Sequence, residues 1–159
     1  MKGSPGCLFL FRSQIMDIGL TSISSLLHEI RVIAVVGLSL NPQRASHEVA
    51  AYLQAQGYRI VPVNPACAGT SLLGEHCYAS LTMAAQALHD QGVKIDLVNC
   101  FRQSSAIEPI AEEAIAIGAQ ALWMQLGVIN LSAAEKARAA GLIVIMDRCI
   151  KIDHANLLA

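Results

Sequence analysis

The chain has 159 residues, enough for one domain whose core needs no disulfide or metal to hold it. Charged residues make up only 14% and the net charge is −1, which excludes the broad basic surface of a protein that grips nucleic acid through its phosphates. Hydrophobic residues reach 54% and mean hydropathy +0.48, yet no run approaches the roughly 18 to 20 apolar residues of a membrane span, so a membrane role is excluded too.

Short apolar segments rich in Val and Ile, broken by polar turns, are what strands buried on both faces of a parallel sheet require. The five cysteines, Cys7, Cys67, Cys77, Cys100 and Cys149, are odd in number and contain no CxxC pair. They read as reduced thiols of a cytoplasmic protein. The first residues carry a basic residue and an apolar patch, but Arg12 cuts that patch well short of the roughly 7 to 15 residues an export signal needs. Residues 1–15 are expected to be an extension outside the fold, and residues 16–159 a single domain.

Apolar positions Ile23, Leu26, Leu27 and Ile30 lie on one face of a helix over residues 21–30, with Thr21 or Ser22 as its cap. A strand over residues 32–37 follows, then a helix over 46–56 closed by Gly57, and a second strand over 59–63. The stretch 64–78, with Gly69 and Gly74 and no periodicity, is long for a connection in an α/β unit. Beyond it come a helix (82–91), a strand (96–101), a helix (105–117) ending at Gly118, a strand (121–126), a helix (132–140) capped by Ser132, and a last strand (142–146). Strands separated by single helices need right-handed crossovers, so the fold class is α/β: a Rossmann-like, doubly wound, five-stranded parallel sheet with helices on both faces. Ligands of such sheets bind beyond the carboxyl ends of the strands, which nominates residues 37–46, 64–66, 101–105, 125–128 and 147–149.

The loop after the first strand, GLSLNPQRAS, stands where a dinucleotide site would show GxGxxG. Gly37 permits close approach to the backbone. Ser39, Asn41 and Ser46 supply hydroxyl and amide groups, and Arg44 a guanidinium able to fork onto a phosphate. The alternative is a plain turn in which Ser46 caps its helix and Asn41-Pro42 makes a bend. The second strand ends in Asn64-Pro65, where an NAD site places an acid for the ribose hydroxyls. Arg59, at the other end of that strand, cannot serve a 2′-phosphate. Phe101 and Arg102 offer an aromatic face and a charge, although Arg102 could instead pair with Glu108. Gln125 and Gly127 end the fourth strand, and Trp123 is expected in the core. Asp147, Arg148, Cys149, Lys151 and His154 form the densest polar cluster. It is expected to be a salt-bridged cap, with Asp147 pairing Arg148 or Lys151, rather than a Cys-His nucleophile or a metal site.

The blocks VVGLSLNPQRASHEVAAYL, GYRIVPVNP, LLGEHCYASL, FRQS, EEAIAIGAQALWMQLGVIN and AGLIVIMDRCIKIDH together resemble the small stand-alone CoA-binding proteins. Their fold is similar to the CoA-binding domain at the start of the succinyl-CoA synthetase alpha subunit. The resemblance implies a CoA or acyl-CoA ligand, with Gly37, Leu38, Ser39, Asn41, Arg44 and Ser46 as the nucleotide loop. It implies that Asn64, Pro65, Phe101, Arg102, Gln125 and Gly127 line the remainder. Relatives commonly carry a lysine after the NP pair, where this chain has Ala66-Cys67. The synthetase's phosphorylated histidine lies in a further domain, so ligase activity is not implied. The expected function is CoA binding without catalysis, with a protein partner or a homo-oligomer as further expectations. The alternatives are an NAD(P) oxidoreductase, a CoA-dependent acyl-transfer enzyme using Cys149, and a regulatory protein that has lost its ligand.

Overall fold

The computed structural model describes residues 19–158; the expected extension over residues 1–15 lies outside them. Helix α1 (Leu20–Glu29) leads into β1 (Val32–Val36), α2 (Ala45–Ala55) and β2 (Arg59–Val63). After a 3-10 turn (Pro65–Cys67) come two short strands, β3 (Ser71–Leu72) and β4 (Glu75–His76), then α3 (Leu81–His89) and β5 (Leu97–Cys100). A second 3-10 turn (Ser104–Ala106) precedes α4 (Ile107–Ala116), β6 (Ala121–Met124), α5 (Leu131–Ala139), β7 (Ile143–Ile145) and α6 (Ile150–Leu157).

The main sheet has the order β2-β1-β5-β6-β7, and every neighbouring pair is parallel. The five-stranded parallel sheet expected from the sequence is therefore present. Chain order reverses between β1 and β5, so the crevice favoured for ligands opens between the ends of these two strands. All of β1, β5 and β6 is buried, because crossover helices cover both faces. One core cluster takes Ala34, Val36, Val98, Leu122 and Val144 against α3, α4 and α5. The other takes Ile33, Val35, Leu97, Trp123 and Ile145 against α1, α2 and α6. Trp123 is in the core as expected, and its indole N–H donates to the Arg148 carbonyl at 2.8 Å. Each fully buried Val, Leu or Ile of these clusters contributes about 1.5–3 kcal/mol.

Edge strand β2 carries Pro62, paired with Val35 of β1. On its outer side Tyr78 forms an isolated bridge with Val63 and donates its backbone N–H to the Pro62 carbonyl at 3.0 Å.

Several helix starts differ from expectation. Gly19, not Thr21 or Ser22, precedes α1, and its carbonyl accepts the Ser22 and Ile23 amides. Asn130, not Ser132, caps α5 through its side-chain oxygen on the Ala133 amide at 2.9 Å. Ser132 instead donates to Glu108 at 2.7 Å. The stretch 64–78 contains the β3-β4 hairpin, turned by Leu73 and Gly74, both at positive φ. These two left-handed residues are the pattern of a type I′ turn.

Helix α6 was not foreseen, and it resolves the polar cluster differently. Arg148 forks onto Asp153 with both contacts at 2.7 Å. Lys151 pairs with Glu48 at 3.1 Å. Asp147 pairs with neither basic residue: it sits at φ 60 and accepts the Gly127 amide at 2.7 Å. A helix beginning at Ile150 places residue 153 one turn on, within reach of a side chain just before its start.

His154 is buried beneath this cluster, with Nδ1 hydrogen-bonded to the Tyr52 hydroxyl at 2.9 Å and the Tyr58 ring edge-on at 5.7 Å. Burial, and then the neighbouring His28, lower its pKa below the usual histidine value. The folded state thus resists a proton that the unfolded chain accepts at about pH 6.5. Stability should be full above that pH, fall as pH drops through it, and level off below the lowered folded pKa. Melting temperatures measured from pH 8 to pH 5 should show this decline, and His154→Gln should flatten it.

Candidate functional site

The carboxyl-end surface is built around Gly37. Its amide donates to the Val63 carbonyl at 2.8 Å, and the Phe101 amide donates to the Val36 carbonyl at 2.9 Å. These bonds carry the β1 pairing one step past each neighbouring strand. At φ 91, Gly37 lies so close to β5 that an added Cβ would fall 2.3 Å from the Phe101 carbonyl oxygen and 3.0 Å from Arg102 Cδ. Only glycine fits at this point of the crevice.

The loop that follows is tied by its own side chains. The Ser39 amide donates to Ser46 Oγ, the Asn41 amide to Ser39 Oγ, and the Gln43 amide to Asn41 Oδ1, each at 3.0 Å. Ser46 is buried in the first turn of α2 and does not cap it. The residue preceding the helix is Arg44, and no side chain accepts from the first-turn amides. The alternative in which Ser46 caps its helix does not hold, because the Ser46 hydroxyl accepts the Ser39 amide instead. Both serine hydroxyls still hold a proton to donate after accepting these amides. Leu38 is buried completely, backbone and side chain, and its carbonyl is taken by the Asn64 side chain.

Asn64 joins the second strand's end to this loop. Its Nδ2 donates to the Leu38 carbonyl and its Oδ1 accepts the Ala66 amide, both at 3.0 Å. Pro65 is exposed. Phe101 is partly buried against the α1, α2 and α6 face, and Arg102 is exposed. Arg102 does not pair with Glu108: Glu108 takes Ser132 and Lys136, which hold its carboxyl below the usual range. Neither Arg44 nor Arg102 makes an ion pair among the described residues.

Gly37, Asn64, Phe101, Arg102, Gln103 and Ala106 line one cleft of about 370 Å³. Four of these six were singled out from sequence. Gln103 falls within a nominated stretch, but nothing in the sequence marks Ala106. Gln125 and Gly127 lie outside this cleft's lining, as do Leu38, Ser39, Asn41, Arg44, Ser46 and Pro65. Gln125 is buried, with Oε1 accepting the first amide of α6, that of Ile150, at 3.0 Å. A larger open groove of about 880 Å³ lies beside α3 and the segment leading into β5, away from the glycine loop. Among the described residues no cluster of His, Cys, Asp and Glu could hold a metal ion, and no helix is long and apolar enough to cross a membrane.

Comparison with known proteins agrees with the fold. The chain is 39% identical over 133 residues to the uncharacterized protein YneT of Bacillus subtilis (strain 168), covering 84% of this chain and 92% of that one. A hypothetical protein from Pyrococcus horikoshii OT3 superposes with a TM-score of 0.80 at 34% identity, over 89% of this chain and 94% of that chain. The protein called cell-free ID.343 from Thermus thermophilus gives a TM-score of 0.79 at 32% identity, over 89% of this chain and 100% of that chain. The pattern of the CoA binding domain covers residues 31–155, from the start of β1 into α6 and across every strand of the sheet, so the chain belongs to the CoA-binding domain family.

Proposed function

We propose that the protein binds coenzyme A or an acyl-CoA at the carboxyl edge of β1 and β5, without catalysis of its own. The observation that carries this reading is the start of α2, where no side chain caps the helix. The His47 and Glu48 amides bond the Arg44 carbonyl, which leaves those of Ala45 and Ser46 without a partner among the described residues, and Arg44 and Arg102, which make no ion pair among the described residues, belong to the same edge. A helix start with free amides and an arginine immediately before it suits a phosphate. The protons of Ser39 and Ser46 add neutral donors, and Gly37 lets the ligand reach the backbone. CoA, with its pyrophosphate and ribose phosphate, fits this donor set. A nicotinamide dinucleotide fits less well, because Asn64 uses both ends of its amide within the protein and no acid stands there for ribose hydroxyls.

Calorimetric titration with CoA tests the proposal, and absence of heat at millimolar CoA would sink it. Arg44→Ala should weaken binding about tenfold, the loss of one charge-assisted contact. Because Arg44 is exposed and makes no ion pair among the described residues, its removal should leave the melting temperature of the free protein in place.

A further inference from the structure

The turn that follows β6 carries large apolar side chains on its surface. Leu126, Ile129 and Leu131 are 66%, 48% and 56% exposed, and the stretch from Leu126 to Leu131 holds no charged residue. Its one polar side chain, Asn130, is occupied by the Ser104 carbonyl and by the cap of α5. A single exposed leucine is ordinary, but three large apolar side chains so close together, at the ligand edge of a parallel sheet, form a surface suited to an apolar group.

This turn is tied to the cleft. The Ile129 amide donates to Ser104 Oγ at 3.0 Å, and Asn130 Nδ2 donates to the Ser104 carbonyl at 2.8 Å. Ser104 directly follows Gln103 and stands just before Ala106 in the chain, and both of those residues line the cleft together with Gly37 and Asn64. A path along the carboxyl edge therefore leads from Gly37, past Arg102 and Gln103, to Ile129.

We infer that the ligand is an acyl-CoA with an apolar acyl chain, and that this chain lies on Leu126, Ile129 and Leu131. The inference rests on the proposed CoA site and adds the class of acyl group. In the strand order β5 separates β1 from β6, so the end of β6 is about 10 Å from that of β1. The pantetheine arm of CoA is as long as about four residues of extended chain, roughly 13–14 Å. With the phosphates at the start of α2, an arm that crosses β5 delivers its thioester to the turn after β6. Leucine and isoleucine there can cover a hydrocarbon chain. Nothing in the turn can pair with a carboxylate, so a dicarboxylic acyl group fits it poorly.

Calorimetric titration of the full chain tests this with CoA, butyryl-CoA and octanoyl-CoA, each below the concentration at which it forms micelles. Removing a methylene from water strengthens binding roughly fourfold, so octanoyl-CoA, after the cost of ordering its chain, should bind about tenfold tighter than CoA or better, with butyryl-CoA between them. In Leu126→Ser/Ile129→Ser the ratio of octanoyl-CoA to CoA affinity should fall to about threefold or less. The ratio is the readout, so a loss common to both ligands does not enter it. Ile129→Ala/Leu131→Ala serves the same purpose should the first variant fold poorly. A gain kept in full by the variants, or octanoyl-CoA binding no tighter than CoA, would overturn the inference and leave the CoA site standing. No heat with any of the three ligands would overturn that site itself. A dimer of the free protein that these variants dissociate in sedimentation would assign the turn to a second copy of the chain and overturn the acyl assignment.

Discussion

Gly37→Ala should abolish CoA binding and lower stability by about 3 kcal/mol, because it combines a left-handed backbone that disfavours any side chain by roughly 1–2 kcal/mol with an overpacking penalty of roughly 1–3 kcal/mol. The overpacking is severe in kind: the new methyl would meet the Phe101 carbonyl oxygen at 2.3 Å, and backbone cannot rotate aside as a side chain can. β1 and β5 would have to part, opening the crevice at the point where the strand order reverses. For a chain of this size the change corresponds to a fall in melting temperature of about 10 °C. Gly127→Ala is the control. Gly127 also has a positive φ, 84, but an added Cβ there meets nothing within 4 Å. Its loss should be the conformational part alone, roughly 1–2 kcal/mol. Equal losses at the two glycines, measured by chemical denaturation, would show that the contact with Phe101 is not what demands glycine.

The second large effect is expected at α6. Arg148→Ala should destabilise the protein by about 2 kcal/mol, less than the roughly 3–5 kcal/mol for breaking a fully buried pair because Arg148 itself reaches solvent. The asymmetry lies in exposure: the Asp153 side chain is 6% exposed and that of Arg148 44%. Removing the arginine leaves a buried carboxylate with neither of its two contacts, whereas Asp153→Asn leaves a neutral amide in the same space. The double variant Arg148→Ala/Asp153→Asn should therefore lose less than the two single losses combined, with a coupling of about 1–2 kcal/mol. Strict additivity in urea denaturation would mean that the fork does not hold α6 to the sheet.

The five strands of the main sheet were legible from sequence because each is a short, Val- and Ile-rich apolar run bounded by glycine or polar turns, whereas the β3-β4 hairpin, with Ser71, Glu75 and His76 in its strands, carries no such signal. Helix starts were less legible. Ser and Thr near a helix start suggest capping, but the side-chain oxygen can turn elsewhere, as Ser46 does toward Ser39 and Ser132 toward Glu108. Helix α6 was missed because its inward residues include Asp153 and His154, and their partners Arg148 and Tyr52 lie outside the helix. A hydrophobic period cannot register a buried face built from polar side chains. At the site, Gly37, Asn64, Phe101 and Arg102 were found by their place at strand ends. The side-chain bonds within the glycine loop, and the role of Gln125 in holding the first amide of α6, depend on contacts between elements far apart in the chain.

An open parallel sheet has two outer strands whose free backbone groups invite a further strand from a neighbouring molecule. Here β2 answers with Pro62, which lacks an N–H to offer, and with Tyr78 lying along its outer side. At the other end β7 is only three residues long, too short a template for stable addition. The molecule should thus resist polymerising edge to edge even when concentrated, and any association between copies would have to form through its helical faces or loop surfaces.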